Sequence, residues 1–272
     1  MYREFYNLSE IPFNVTSDPG FLFLSPTHQE ALEHLRYGIE QRKGFLAITG
    51  EIGAGKTTLC RALVNQLDSS KVKVALILNA VLPEIQLLEA IAEDFGITVE
   101  KHTKGALLKK INQFLLEQLA RGNNAVLIID EAQNMRFSAL ETVRMLSNLE
   151  TEKEKLLQII LVGQPQLKDK LNAPELVQLK QRMAVRFHIR ALNEPEVTGY
   201  IQHRLTVAGS AGRIVFTPEA LTAIFTHTGG VPRLINILAD KALLRGFVKE
   251  RFTLDHIHIQ ECIQEMDGEH LA

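Results

Sequence analysis

The segment that most constrains the fold lies between an unbroken apolar run, Phe45, Leu46, Ala47, Ile48 and Thr49, and a stretch of helical spacing beginning at Lys56. It reads Gly50, Glu51, Ile52, Gly53, Ala54, Gly55, Lys56, Thr57. The apolar run is too short for a helix of its own and ends at a glycine, as a buried parallel strand does. The octapeptide fits G-x-x-x-x-G-K-[ST] in the strand–loop–helix setting that gives the pattern its meaning. Its glycines let the backbone curl so that successive N–H groups face one anion, and the helix N-terminus adds its positive end. Lys56 would then reach the β- and γ-phosphates of a nucleotide, and the Thr57 hydroxyl would hold Mg²⁺. Gly50, Glu51, Ile52, Gly53, Ala54, Gly55, Lys56, Thr57 and Thr58 are the expected nucleotide-binding set. A chance match in a glycine-rich turn is the competing reading, and the flanking strand and helix are what separate the two.

Around this loop, strands and helices alternate. Strands are expected at 45–49, 72–79, 125–130, 156–162 and 185–189, and helices at 26–41, from 56, and at 84–95, 103–121, 138–149 and 174–182. Parallel neighbours need helical crossovers, so five such strands imply a three-layer α/β domain with a parallel sheet covered on both faces. Beyond Ala191 no strand pattern survives. Helical spacing at 194–208, 218–228, 232–248 and 254–266 predicts a small all-helical lid domain. The expected division is residues 1–190 for the nucleotide-binding domain, with 1–44 as an N-terminal extension and first helix, and 191–272 for the lid. Residues 1–45 hold 8 of the chain's 17 aromatics, so this segment must pack against something, either as core or as a wall for an adenine.

The second chemical signal is the strand Val126, Leu127, Ile128, Ile129, which runs into Asp130 and Glu131. Carboxylates at the C-terminal end of a strand in an open α/β sheet sit at the ligand crevice. Asp130 would bind Mg²⁺, directly or through water, and Glu131 would act as general base on the attacking water. Acids also cap strand ends, which is the alternative. Their position 74 residues after Lys56, in the same sheet, favours catalysis.

Charge excludes other classes. The chain's 30 Lys+Arg and 32 Asp+Glu leave a net −2, with −3 beyond residue 190 and +1 before it, so no global field draws it to nucleic acid or an anionic membrane. Cys60 and Cys262 are far apart and read as core thiols of a reducing compartment. There is no signal peptide or membrane-spanning run, so the residues read as cytoplasmic. His256 and His258 fall on different helix faces without an evident acid or Cys partner, a poor metal site.

Phosphate loop, Asp130-Glu131 strand and helical appendage together resemble an AAA+ ATPase, and more specifically the ExeA/GspA family of secretion-pathway ATPases. The resemblance rests on Tyr2, Phe5, Tyr6, Asn7, Leu8, Pro12, Phe13, Asp18, Pro19, Phe23, Leu24, His28, Ala31 and Leu32 at the start. It rests also on Leu161 to Leu167 in the middle and on Gly229, Gly230, Val231, Pro232, Arg233, Leu234, Ile235 and Asn236 near the end.

This resemblance implies roles for four further residues. Gln164 would be a sensor placing the attacking water; a buried amide could instead satisfy loop backbone groups. Arg233 would touch the γ-phosphate and report hydrolysis to the lid, or else be a solvated residue at a helix start. Arg182 would be an arginine finger reaching a neighbouring subunit's nucleotide, or a helix-end cation favouring the dipole. Asn79 would be the polar switch that holds Glu131 off its water, or a turn residue.

It also implies ATP and Mg²⁺ as cofactors, and a ring or partial ring of copies of the chain. The implied setting is the inner membrane, with assembly proteins of a type II secretion or pilus-type apparatus as partners. The runner-up is a DNA-associated AAA+ regulator of the transposition type, although near-neutral charge makes nucleic acid a poor partner. A third reading is a nucleotide-gated scaffold with negligible turnover, against which Glu131 and Arg182 argue.

Overall fold

A computed structural model of the chain describes residues 1–268. In chain order it contains α1 (Tyr2–Phe5), α2 (Pro26–Glu40), β1 (Phe45–Gly50), α3 (Lys56–Gln66), β2 (Val72–Ile77), α4 (Glu84–Asp94), α5 (Lys104–Ala120) and β3 (Asn124–Ile129). There follow α6 (Phe137–Leu146), β4 (Gln158–Gly163), α7 (Pro165–Leu171), α8 (Val177–Gln181), β5 (Met183–Ile189), α9 (Glu194–Val207), β6 (Val215–Phe216), α10 (Pro218–Thr228), α11 (Pro232–Val248), β7 (Thr253–Leu254) and α12 (His256–Asp267). The residues form two compact units.

One unit, Gln29–Gly50 with Leu59–Ile189, holds the parallel sheet in the order β2-β3-β4-β1-β5. The central strands β1, β3 and β4 are buried at every position, because both sheet faces are covered, and this is why they read as continuous aliphatic runs. Phe45, Ala47, Leu127, Ile129, Ile159 and Leu161 join a core with Leu87 and Ile91 of α4, Ile111 of α5, Val143 of α6 and Leu167 of α7. Alternate residues such as Leu46, Ile48, Val126 and Ile160 are equally buried from the other face. A Cβ on Gly38 would run into Leu46, so α2 lies close on that side. Each fully buried aliphatic side chain contributes about 1.5–3 kcal/mol.

The other unit is Met1–His28, Glu51–Thr58 and Arg190–Ala272. Of the expected N-terminal extension, residues 29–44 lie in the sheet unit, while Tyr6, Phe13 and Phe21 are buried in one core with Tyr200, Ile235, Leu243 and Leu254 of the helical part. The fully buried Tyr6 ring donates its hydroxyl to the carbonyls of Arg251 (2.9 Å) and Leu243 (3.2 Å). The Arg204 guanidinium grips the same segment, donating to Pro12 O (2.5 Å) and Asn14 O (3.1 Å) and to the Tyr200 hydroxyl (3.0 Å), while stacking 4.8 Å from the Phe21 ring. Three of the helices here start at side-chain caps. Asn193 and Glu196 form a reciprocal capping box on α9, Thr217 caps α10, and Asp255 caps α12.

Several boundaries differ from expectation. Strand pairing does continue past Ala191: β6 and β7 form a two-residue parallel ladder, too short to leave a period in the sequence. That pairing occupies Thr253 and Leu254, so the last helix begins at His256. The expected helix over 174–182 is a 3₁₀ turn, Pro174–Leu176, followed by the short α8. The helix α7, opened by Pro165, was not anticipated. Among the described residues no helix is long and apolar enough to cross a membrane.

Candidate functional site

Within the unit that contains it, the phosphate loop is held open by its own carbonyls. Gly53 and Gly55 have φ of +80° and +88°, values that side chains resist, and they turn the peptide planes of the loop. The outward carbonyls have donors. The Arg233 backbone N–H donates to Gly53 O (3.2 Å), the His28 ring lies 2.9 Å from Ala54 O through Nε2, and Lys56 Nζ donates to Glu51 O (2.8 Å). Lys56 is buried at the start of α3, Thr57 and Thr58 are half-buried in its first turn, and Glu51 and Ile52 are exposed. A Cβ on Gly53 would meet the Arg233 Cβ. The structure therefore brings Arg233 to the loop, with its side chain exposed at the second position of α11.

A second group of candidate residues lies at the C-terminal edge of the sheet, where parallel strands deliver Gly50, Asp130, Glu131 and Gln164 to one side. Asp130 is 2% exposed, and its Oδ1 accepts from the Glu131 backbone N–H at 2.8 Å. Glu131 takes a left-handed conformation, φ +52°, an arrangement that costs about 1–3 kcal/mol in a residue with a side chain and recurs at active sites. Its Oε2 accepts from Gln164 Nε2 (3.1 Å) and Gln133 Nε2 (2.5 Å). Gln133 in turn accepts from the Gln164 backbone N–H through Oε1 (3.0 Å). Lys170 secures the turn by donating to Gln133 O (2.7 Å) and Met135 O; burial lowers its pKa below the usual lysine value.

Asn79 is not among the groups that hold Glu131. It is exposed, and its Oδ1 accepts from Val81 N–H (3.1 Å), the turn alternative named for it. Besides the expected Gln164, an amide on Glu131 comes from Gln133, two residues along the chain, which the sequence does not mark. The sequence marks His28 only as part of a family signature, whereas its buried ring faces the Ala54 carbonyl. Arg182 is exposed at the end of α8, next to β5. His258, read as lacking an acid partner, lies with Nδ1 2.8 Å from Asp255 Oδ1, an interaction that belongs to the α12 cap.

As donors for Mg²⁺, the Asp130 carboxylate and Thr57 hydroxyl are hard oxygens of the right kind. Among the described residues no cluster of three or more His, Cys, Asp or Glu forms a cage. Mg²⁺ commonly takes one or two protein oxygens and completes its shell with phosphates and water, so each of these oxygens is of a kind that suits it.

A family model described as an AAA domain matches residues 39–171. General secretion pathway protein A of Aeromonas hydrophila is 42% identical over 269 residues, 98% of this chain and 49% of that protein, so the chain spans about half the length of this curated relative. Among solved structures, the Aeropyrum pernix ORC2 protein in ADPNP-ADP complexes superposes with a TM-score of 0.69 at 17% identity, over 97% of this chain and 76% of that one. The Aeropyrum pernix ORC1 protein in complex with DNA gives 0.66 at 17% identity, over 90% of this chain and 67% of that one. These two likenesses establish a shared fold.

Proposed function

We propose that the chain is an AAA+ ATPase related to general secretion pathway protein A, and that it binds and hydrolyses MgATP to drive assembly or remodelling of a secretion or pilus-type apparatus at the bacterial inner membrane. The observation that carries the nucleotide half of this reading is the conformation of the phosphate loop. Its carbonyls at Gly53 and Ala54 are tied outward and its glycines take positive φ, which leaves backbone N–H groups to converge on an anion ahead of α3. The 42% identity supports the secretion half.

In the proposed reaction Lys56 neutralises charge on the β- and γ-phosphates, and Thr57 and Asp130 hold the metal. Bound Mg²⁺ supplies Lewis-acid stabilisation of phosphate charge. Glu131 takes a proton from the attacking water, Gln164 orients that water, and Arg233 reads the γ-phosphate from α11. Copies of the chain assemble into a ring or partial ring in which Arg182 of one subunit serves its neighbour's nucleotide.

The test separates the steps. Lys56→Ala is expected to abolish nucleotide binding, whereas Glu131→Gln retains ATP and stops turnover; normal hydrolysis by Glu131→Gln overturns the assignment of the base. Hydrolysis per subunit should climb steeply with protein concentration and fall on the order of 10³-fold in Arg182→Ala, since a guanidinium in trans supplies at least that factor. A second reading, a DNA-associated regulator, takes its support from the shared fold with ORC1, a protein solved on DNA. Stimulation of hydrolysis by duplex DNA, lost at high salt, would favour it.

A further inference from the structure

We infer that His28 is a positioning residue for nucleotide binding: through its ring and Ser25 it locks the Ala54 carbonyl outward and so keeps the phosphate loop open for an anion. The inference rests on the phosphate-binding reading above and deepens it.

The geometry is a relay of three groups. Ser25 Oγ lies 2.7 Å from His28 Nδ1, and His28 Nε2 lies 2.9 Å from Ala54 O. A carbonyl only accepts, so Nε2 carries the proton and donates. Nδ1 is then the acceptor, and it takes the Ser25 hydroxyl proton. One tautomer satisfies both contacts, and the neutral ring suffices. Burial, the largest influence, lowers the His28 pKa below its ordinary 6.5, which keeps the ring neutral near pH 7.

The Ala54 carbonyl has no ready substitute for this donor. Ala54 is 1% exposed and His28 3%, so water does not reach the pair, and a carbonyl buried without a donor is costly. Relief would come from rotating the 54–55 peptide plane, and that rotation would turn the Gly55 N–H away from the anion. The ring also lies directly under the loop. A Cβ on Gly55 would come 3.2 Å from His28 Nε2, and Gly55 already has φ +88°. The Arg233 N–H holds the preceding carbonyl, on Gly53, but it is a backbone group that substitution leaves in place. His28 is the side-chain half of the clamp.

The probe is ADP without added metal, with binding measured by calorimetry on the full chain, alongside thermal melting of the nucleotide-free protein. Loss of the clamp in His28→Ala is expected to weaken ADP about tenfold, or about 1.4 kcal/mol. The amide nitrogen of Gln can take the place of Nε2, so His28→Gln should return affinity to within about threefold of the wild type, and Ser25→Ala should fall between the two. In steady state, KM for ATP should rise in His28→Ala with kcat little changed, because the ring does not meet the reacting atoms.

Wild-type ADP affinity in His28→Ala would overturn the inference. So would ADP binding by His28→Gln as weak as that of His28→Ala, since the ring would then act only by filling space. Lys56→Ala distinguishes the two levels. If it loses ADP while His28→Ala does not, the inference alone fails. If it binds ADP as well as wild type, the phosphate-binding reading fails first.

Discussion

Gly163 and Gln133 should be energetically coupled. A Cβ added to Gly163 would lie 2.6 Å from Gln133 Oε1 and 2.9 Å and 3.1 Å from Leu167 Cδ2 and Cβ. In Gly163→Ala the Gln133 side chain must therefore leave its seat, releasing its bonds to Glu131 and to the Gln164 N–H. A hydrogen bond to a charged group is worth about 1.5–3 kcal/mol and a neutral one about 1. With the Glu131 carboxylate half-exposed the lower values apply, so Gln133→Ala should cost about 2 kcal/mol. Gly163→Ala loses the same bonds and presses on Leu167, for about 3–5 kcal/mol in all. In the double variant the 2.6 Å contact is gone, and the cost should be about 3 kcal/mol, well short of the sum. The chain has no Trp, so urea unfolding followed by far-UV circular dichroism is the suitable assay, with the midpoint compared at constant slope. Additive costs in the double variant would mean that Gln133 does not sit on Gly163, and the network drawn around Glu131 would fall with it.

Three further outcomes are expected. Arg204→Ala removes the donor for Pro12 O, Asn14 O and the Tyr200 hydroxyl, and should destabilise by about 3–5 kcal/mol while exposing residues 1–25 to protease; an equally stable Arg204→Lys would refute the fork geometry. Burial lowers the pKa of both His28 and His203, so the unfolded chain binds more protons than the folded one as pH falls through their ordinary value of 6.5. Their contribution is complete above that pH and is lost below it, so the melting temperature should fall between about pH 7 and pH 5, and His28→Gln should flatten the slope. Gly230→Ala should abolish stable folding of the helical part, because φ is +74° there and the new Cβ would collide with the Leu192 backbone; a melting temperature within a few degrees of wild type would contradict the placement.

The parts of this protein that could be read directly are those in which a few neighbouring residues set both structure and chemistry. Glycines at 50, 53 and 55 before Lys56 specify a loop because the backbone conformation is local. The aliphatic runs of β1, β3 and β4 specify central strands because burial on both faces removes polar positions. Asp130 and Glu131 announce themselves by following such a run. Helix spans such as Pro218–Thr228 and Pro232–Val248 were legible through their period and the Gly- and Pro-containing turns that separate them.

Tertiary structure decided whatever depends on partners far along the chain. No local signal says that Tyr6 meets Leu243, that Arg204 meets Pro12, or that the aromatic N-terminal segment shares its core with the helical part, because hydrophobic burial is non-directional and any apolar surface would serve. The two-residue strands β6 and β7 exist only through their pairing. Gln133, and not Asn79, holds Glu131 because the left-handed turn at Glu131 folds the chain back on itself and β4 brings Gln164 alongside. Composition and spacing supplied the candidate groups; their orientation came from hydrogen bonds and close contacts that the fold alone brings within reach.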